Sequence, residues 1–234
     1  MFKKVKDLTR ILFPGFMKKL SKFRYRMLLK RKEPDQVFEE FYQTNKWGDE
    51  ESVSGPGSRL DFTDKIRNEL PSLSDQFNLS TVLDIPCGDY NWMRFVDWHV
   101  NYIGADIVDD LIKNNQQLYG NKNRIFKKLN IIEDELPQVD LVICRDCLVH
   151  FSFEDIFRTL RNLKRSGSSY LLTTTMIDRK KNKNIVTGEF RPINLQKPPF
   201  NFPEPIMLLD DTYPLPNYYD KHLGLWKITE IPTK

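Results

Sequence analysis

Two aspartates, each at the end of a short apolar run, are the residues of this 234-residue chain whose type and spacing best suggest chemistry. Asp84 ends the run 81–84 and precedes the turn 85–89, which contains Gly88. Asp106 lies 18 residues after Gly88 and ends a second apolar run. In open α/β sheets, a glycine turn after the first strand binds nucleotides, and a carboxylate after the second accepts hydrogen bonds from a ribose. The pattern therefore predicts a nucleoside site.

The two sites together resemble the first two motifs of the class I S-adenosylmethionine-dependent methyltransferases. The first motif of that family reads acid-x-Gly-x-Gly-x-Gly, and the second is an acid that ends strand two. Gly88 is kept, whereas Pro86 and Tyr90 stand where the family usually has its first and third glycines. The resemblance implies that Asp84 holds the turn or binds the amino group of S-adenosyl-L-methionine, and that Asp106 binds its ribose. The cofactor-binding residues that it implies here are Asp84, Pro86, Gly88, Asp89, Asp106 and Ile107.

The charge of the glycine turn helps to choose between cofactors. Asp89 follows Gly88 directly, and a carboxylate there would repel a pyrophosphate. A nicotinamide-binding enzyme is expected instead to carry G-x-G-x-x-G at this turn. S-adenosyl-L-methionine has no phosphate and carries a positive sulfonium and a positive amino group. We therefore favour S-adenosyl-L-methionine over a nicotinamide cofactor.

Two later segments are similar to further motifs of the same family. Asn130 and Ile131 follow the third predicted strand, where the family usually has an acid and contacts adenine, and the amide of Asn130 would take that place. The run 140–151 resembles the fourth motif, an Asp-led apolar strand that ends beneath the transferred methyl group. The resemblance implies that Arg145 and Asp146 face the cofactor or the acceptor.

His150, near the end of the fourth motif, is a candidate general base together with Asp146. An imidazole whose unperturbed pKa is near neutrality can take a proton from an acceptor hydroxyl. A histidine that only packs at this place is the alternative. Cys144 and Cys147 with His150 also look like part of a metal site. A structural zinc needs four ligands, and the third cysteine, Cys87, lies in the glycine turn, so no metal is predicted.

The residues of these motifs can form one site only if the strands that precede them are parallel and adjacent in the sheet. From residue 81 onwards, short apolar runs alternate with helical stretches, which predicts a doubly wound, mostly parallel α/β sheet of the Rossmann-like type. The predicted strands cover 81–85, 101–105, 124–128, 141–144, 169–174 and 223–230. The predicted helices cover 34–42, 58–70, 91–97, 109–119 and 153–165.

Three segments are predicted along the chain. Residues 1–32 form a basic amphipathic arm, residues 33–80 hold helices and a loop on the cofactor side, and residues 81–234 form the S-adenosyl-L-methionine-binding core. Within the core, the proline-rich stretch 178–205 is expected to form a lid over the acceptor pocket, because long irregular segments in compact domains are usually functional or disordered. Its run 197–200, Lys-Pro-Pro-Phe, imitates a signature of enzymes that methylate base amines, but it lies after strand five instead of ending strand four.

Charge is unevenly distributed between the arm and the rest of the chain. Residues 1–32 hold twelve Lys or Arg and one acid, a local charge of +11, so the remainder of a chain with net charge +4 carries −7. With apolar residues between these cations, the arm would suit an anionic membrane surface. It would also suit RNA. A solvated or self-packed extension is the third alternative.

The compartment is predicted from cysteines and apolar segments. Three cysteines, an odd number, do not make a disulfide framework and favour a reducing compartment. The longest apolar stretch near the N-terminus, 11–17, is far shorter than the roughly 20 apolar residues that span a bilayer, and it makes a poor signal peptide. We therefore predict a cytoplasmic protein.

The acceptor is predicted by resemblance alone. The loop 47–58 and the Pro-Pro-Phe stretch are similar to a bacterial subgroup that accompanies glycan-building enzymes. This resemblance implies O-methylation of a small molecule or saccharide, including a lipid-linked saccharide. An RNA methyltransferase that grips phosphates with the arm, and a cofactor-binding scaffold without catalysis, are the alternatives.

Overall fold

Seven strands form one mixed sheet in the computed structural model, which describes residues 14–213, 215 and 218–234. The strands are β1 (Thr81–Asp84), β2 (Asn101–Asp106), β3 (Arg124–Lys128), β4 (Leu141–Cys144), β5 (Tyr170–Met176), β6 (Met207–Asp210) and β7 (Lys221–Lys227). Their order across the sheet is β3-β2-β1-β4-β5-β7-β6. Strands β1 to β5 are parallel, and β7 runs antiparallel to both β5 and β6. The predicted doubly wound, mostly parallel α/β class is confirmed.

Five α-helices accompany these strands within the described residues. They are α1 (Pro14–Leu29), α2 (Pro34–Gln43), α3 (Asp64–Phe77), α4 (Asp109–Tyr119) and α5 (Phe153–Arg165). The predictions for α4 and α5 are confirmed to the residue. Helix α5 begins where predicted because the Ser152 hydroxyl accepts a hydrogen bond from the Asp155 N–H (3.1 Å), which pairs one of the free donors of the first turn.

Two predicted helices differ from the structure. The stretch 91–97 contains only a 3-10 turn, Met93–Phe95. Helix α3 begins at Asp64 instead of Ser58. The two segments contact each other, because the Asn91 amide donates to the carbonyl oxygen of Ser58 (3.0 Å). A tertiary hydrogen bond therefore joins the two segments in which the structure departs from the predicted helices.

The end of the sheet also differs from the prediction. The last strand covers Lys221–Lys227 instead of 223–230, where a 3-10 turn, Ile228–Glu230, follows it. Strand β6 was not predicted. It has four residues and forms the edge of the sheet beside β7, so only one of its neighbours is a strand and its sequence carries little alternation.

Apolar cores cover both faces of the sheet, as a doubly wound sheet requires. The proline-rich stretch contributes to one of them. Phe200 is fully buried, with its ring centroid 5.1 Å from that of Phe153 and 5.5 Å from that of Phe157. Phe202 packs edge-on against Trp226 at 5.2 Å. The part of the predicted lid around Phe200 therefore belongs to the protein core.

Helix α1, the described part of the basic arm, packs on the body of the protein. Leu29 joins Val37 and Phe41 of α2 in a third, smaller core. Phe23 and Leu28 of α1 remain exposed. Within the described residues, we find no helix with the length and apolarity needed to cross a membrane.

Candidate active site

A cavity of about 670 Å³ opens at the carboxyl ends of β1, β2, β3 and β4. This edge is where open α/β sheets bind ligands, and the volume lies in the range of about 300–1,000 Å³ usual for small-molecule sites. One side, here called the sheet wall, comprises lining residues within 84–88, 106–108, 129–131 and 145–147. Another side, the mouth wall, comprises lining residues within 22–26, 38–47 and 183–191. The loop 47–58 closes the cavity beside the glycine turn.

Gly88 is the residue on which the turn after β1 depends. Its φ of +55° lies in the left-handed region, and a Cβ atom there would lie 2.2 Å from Ser54 Oγ. Its N–H donates to Asp106 Oδ2 (3.2 Å), and its carbonyl oxygen accepts from the Asn115 amide (2.7 Å). Pro86, which follows a cis peptide bond, lines the cavity as well. The turn thus joins the ends of β1 and β2 into one surface.

Asp84 and Asp106 lie in the same cavity. Asp84, 3% exposed, accepts a hydrogen bond from Tyr102 Oη (2.6 Å), and Asp106 Oδ1 accepts one from the Val108 N–H (3.1 Å). Burial raises the pKa of Asp84 to about 7, although the hydrogen bond from Tyr102 opposes it, and burial raises the pKa of Asp106 to about 6. Within the described residues neither carboxylate forms an ion pair. The sheet wall is therefore suited to a cationic ligand.

Asp89, a member of the predicted cofactor set, lies under the loop 47–58 and is not among the residues that line the cavity. Its Oδ2 accepts from Ser52 Oγ (2.8 Å) and from the Val53 N–H (3.0 Å). Its Oδ1 accepts from Ser54 Oγ (3.1 Å). The carboxylate is thus engaged by three consecutive loop residues, and its role in the structure is to hold this loop against the glycine turn.

Ile107, Asn130 and Ile131, the predicted neighbours of the ribose and adenine, all line the cavity. The amide of Asn130 is engaged locally, because its Oδ1 accepts from the Ile132 N–H (3.0 Å) and its Nδ2 donates to Glu133 Oε1 (3.1 Å). Asn130 therefore shapes the turn after β3. The side chains of Ile107 and Ile131 give this part of the cavity an apolar surface.

Arg145 lines the cavity, but its guanidinium is bound within the protein. It donates to both carboxylate oxygens of Asp211 (2.8 and 3.0 Å) and to the carbonyl oxygen of Gly57 (2.8 Å). Burial alone would lower the pKa of Arg145, but Asp211 outweighs it and raises that pKa further. Arg145 thus fastens the loop 47–58 and the segment after β6 to the end of β4.

Asp146, just after β4, also lines the cavity. Its Oδ2 accepts from Lys221 Nζ (2.8 Å) and from Tyr213 Oη (2.9 Å). Lys221 is 1% exposed and lies 2.6 Å from Asp211 Oδ2. Burial alone would raise the pKa of Asp146, but Lys221 and Arg145 outweigh it and lower that pKa below its usual range. Arg145, Asp146, Asp211 and Lys221 are called the ionic floor below.

His150 lines the cavity between Trp47 and Phe190, with ring centroids 6.1 and 5.6 Å away. Its Nδ1 lies 3.2 Å from the carbonyl oxygen of Glu189. Because a carbonyl oxygen only accepts, Nδ1 carries the proton of the neutral ring and Nε2 is left as an acceptor. Burial lowers the pKa of His150 below its ordinary value, although Asp146 opposes this effect. The neutral form therefore prevails near neutral pH.

The cysteines of the fourth motif occupy different surroundings. Cys144 is fully buried in β4, whereas Cys147 lines the cavity. In the part of the chain that the structure describes, no group of three or more His, Cys, Asp and Glu side chains is arranged to hold a metal ion.

Several lining residues were not predicted from the sequence. Trp92 comes from the stretch predicted as a helix, and Tyr213 from the connection between β6 and β7. Lys22, Tyr25 and Arg26 come from the arm. Their i, i+3, i+4 spacing puts them on one face of a helix, a signal present in the sequence. No local signal marks Tyr213, because its place depends on β6.

Comparison with known proteins supports the fold. No family model and no curated protein sequence matches this chain. The solved structure of human N-acetylserotonin methyltransferase in complex with S-adenosylmethionine is similar, with a TM-score of 0.51 and 13% identity. The likeness covers 70% of this chain and 52% of the human protein, so this chain spans about half the length of that relative.

Two further solved structures are similar at lower scores. Magnesium protoporphyrin IX methyltransferase from Synechocystis PCC 6803, solved with bound SAH, has a TM-score of 0.48 and 12% identity, covering 71% of this chain and 83% of that one. An O-methyltransferase family protein from Burkholderia thailandensis has a TM-score of 0.44 and 17% identity, covering 57% and 48%. The fold assignment rests on the human structure and the strand order. Together they show that this chain has the Rossmann-like fold of class I methyltransferases.

Proposed function

We propose that this chain transfers a methyl group from S-adenosyl-L-methionine to a hydroxyl group of a small molecule or saccharide. The observation that carries the proposal is the pair of buried carboxylates, Asp84 and Asp106, at the ends of neighbouring strands in one cavity. Burial raises the pKa values of both carboxyl groups, which disfavours their ionised forms. A positive charge beside them would stabilise the ionised forms at neutral pH. A cationic nucleoside supplies that charge.

The residues of the sheet wall fit this cofactor part by part. Asp106, which accepts a hydrogen bond from the Gly88 N–H, would also accept one from a ribose hydroxyl, and Asp84 would bind the amino group. Ile107 and Ile131 would contact the base. When bound, the cofactor supplies an electrophilic methyl group on a sulfonium. The protein then has to position the acceptor hydroxyl and remove one proton.

His150 is the residue we propose for that proton. Its Nε2 is an acceptor because Nδ1 is directed at the Glu189 carbonyl, and its lowered pKa keeps the ring neutral and ready to accept. Asp146, the other candidate base, is held ionised by Lys221, and its lowered pKa makes it a weak base. We therefore assign proton removal to His150 and positioning to Asp146.

A calorimetric titration tests the cofactor site directly. S-Adenosyl-L-methionine is titrated into the wild-type chain, into Asp106→Asn and into Asp110→Asn, which removes the same charge from an exposed residue of α4 outside the cavity. We expect binding to weaken about tenfold or more in Asp106→Asn, the loss of one charged hydrogen bond, and to be unchanged in Asp110→Asn. Melting temperatures confirm that each variant is folded. Equal affinity in all three proteins would reject the site.

The arm is proposed to bring this cavity to a membrane surface that presents a lipid-linked acceptor. Support comes from α1 and the residue that follows it, because exposed Phe23 and Leu28 lie near the cationic residues Lys19, Arg24 and Lys30 in the sequence. The test is co-sedimentation with vesicles of phosphatidylglycerol, in which Phe23→Ser with Leu28→Ser is expected to reduce binding. Binding that is the same in both proteins would reject the membrane role.

A further inference from the structure

The mouth wall carries far more positive than negative charge. Four of its cationic side chains face one acid, Glu189, within the described residues. The four cationic residues are Lys22, Arg26, Lys46 and Lys183. A fifth cation, Arg191, lies on the same wall but is buried, and its guanidinium donates to the carbonyl oxygens of Leu148 (2.8 Å) and Phe151 (2.9 Å). The excess positive charge at the mouth therefore comes from the four side chains that line it.

Three donors at this wall are buried without a hydrogen-bond partner in the described part of the chain, namely Tyr25 Oη, Arg26 Nε and Arg191 Nε. Arg26 Nε lies 3.5 Å from Glu189 Oε2, an ion-pair distance, while that oxygen already accepts from the Val186 N–H (3.0 Å). Lys46 Nζ lies over the Tyr25 ring at 4.9 Å from its centroid. Since buried donors are nearly always paired in proteins, the unpaired ones point to a ligand rich in acceptor oxygens.

The two walls thus have opposite electrostatic character. The carboxylates of the sheet wall match the sulfonium and the amino group of the cofactor. The cofactor also has one carboxylate of its own, but a single carboxylate does not balance four cations, so most of the charge of the mouth wall is left for the other substrate. These cations and the Tyr25 hydroxyl present more donors than the two oxygens of a carboxylate would use. A phosphate group offers three acceptor oxygens and a larger charge, and lysine and arginine are its usual partners in proteins.

We infer that the methyl acceptor carries a phosphate group, and that Lys22, Tyr25, Arg26, Lys46 and Lys183 bind this group at the mouth of the cavity. This inference rests on the proposed methyl transfer, because it assigns the mouth wall to the acceptor. The phosphate group is that of a soluble phosphorylated saccharide or that of a lipid-linked saccharide, and both present negatively charged, non-bridging oxygens to the wall.

The test uses inorganic pyrophosphate as the probe and two variants of equal charge. The site variant is the full chain with Lys22→Gln, Lys46→Gln and Lys183→Gln. The control variant carries Lys19→Gln on α1, Lys30→Gln directly after α1 and Lys180→Gln on the stretch after β5, and none of these three residues lines the cavity. By calorimetry at low salt, we expect the site variant to bind pyrophosphate at least about tenfold more weakly than wild type and the control variant to bind as wild type does.

If pyrophosphate binding weakens equally in both variants, the effect comes from the overall charge of the protein, and the inference is overturned. Unchanged pyrophosphate binding in the site variant would overturn it as well. S-Adenosyl-L-methionine is titrated into the same three proteins, and we expect one affinity for all. A chain that binds pyrophosphate at the mouth but no S-adenosyl-L-methionine would refute the proposed function while keeping the anion site. Binding to vesicles of phosphatidylglycerol distinguishes a lipid-linked acceptor from a soluble one. If the site binds the phosphate of a lipid, vesicle binding falls more in the site variant than in the control variant; if the acceptor is soluble, it falls equally in both.

Discussion

The sheet wall and the mouth wall of the cavity differ in how they are built. The sheet wall holds its charges on buried strand ends, where backbone N–H groups and Tyr102 fix the carboxylates. The mouth wall assembles exposed lysines from α1, from the turn after α2 and from residues 183–191, which are separate segments of the chain. The ends of the parallel strands thus form the proposed cofactor side, whereas segments outside the sheet form the proposed acceptor side.

The largest expected effect lies where the walls meet, at His150. Replacing it with Gln keeps a side chain of similar size and polarity but removes the base. We expect transfer of labelled methyl groups into a fractionated cell extract to fall by about 10²- to 10⁴-fold, with cofactor affinity unchanged. Full activity in His150→Gln would assign this ring to packing and leave proton removal to another group.

The ionic floor beneath both walls predicts a large effect on stability. Lys221→Met leaves Asp146 and Asp211 buried with one cation fewer, so we expect the free energy of unfolding to fall by about 3–5 kcal/mol. Urea denaturation measures this change. Lys227→Met, at the exposed end of the same strand, is the matched control and should change stability by less than about 0.5 kcal/mol. Similar losses in both variants would show that Lys221 is not a special position.

Asp84→Asn separates binding from stability on the sheet wall. The folded-state pKa of Asp84 is raised to about 7, so its favourable contribution is present at acidic pH and is lost as the pH rises through 7. Asn keeps an acceptor for Tyr102 without the buried charge. At about pH 8 we expect this variant to be more stable by about 2 kcal/mol, roughly 4–8 °C in Tm, while binding S-adenosyl-L-methionine more weakly.

The gain in Tm should shrink toward acidic pH, where the wild-type carboxyl is protonated. Scanning calorimetry of both proteins across this range provides the measurement. A variant that is no more stable than wild type at the alkaline end would contradict the raised pKa of Asp84.

The smallest predicted effect is the pH dependence of cofactor affinity. With pKa values of about 7 and 6, Asp84 and Asp106 are mostly ionised at the alkaline end and mostly protonated at the acidic end. Affinity for a cation should therefore rise with pH, by about tenfold between pH 5.5 and pH 8. A flat profile for the cofactor would remove the electrostatic basis of the sheet wall.

Much of the sheet wall was predictable from the sequence because its signals are local. The strand ends before Asp84 and Asp106, and helices α4 and α5, follow from apolar periodicity and a capping serine. Asp89 shows the limit of that reasoning, because its neighbour in sequence is the glycine turn but its partners are 35 to 37 residues away. The partners of Arg145 in the segment after β6, Asp211 and Tyr213, could not be predicted either, because their places depend on the short edge strand β6.

The ionic floor has a consequence for the electric field inside the cavity. Its two cations and two anions sum to zero and lie within a few ångströms of one another, so their fields largely cancel at a ligand. The potential that an incoming molecule meets is therefore set by the groups above the floor. On the sheet side those groups change charge near neutrality, so a modest acidification of the surroundings would discharge that side and leave the mouth positive. The protein would then keep its hold on an anion while releasing a cation.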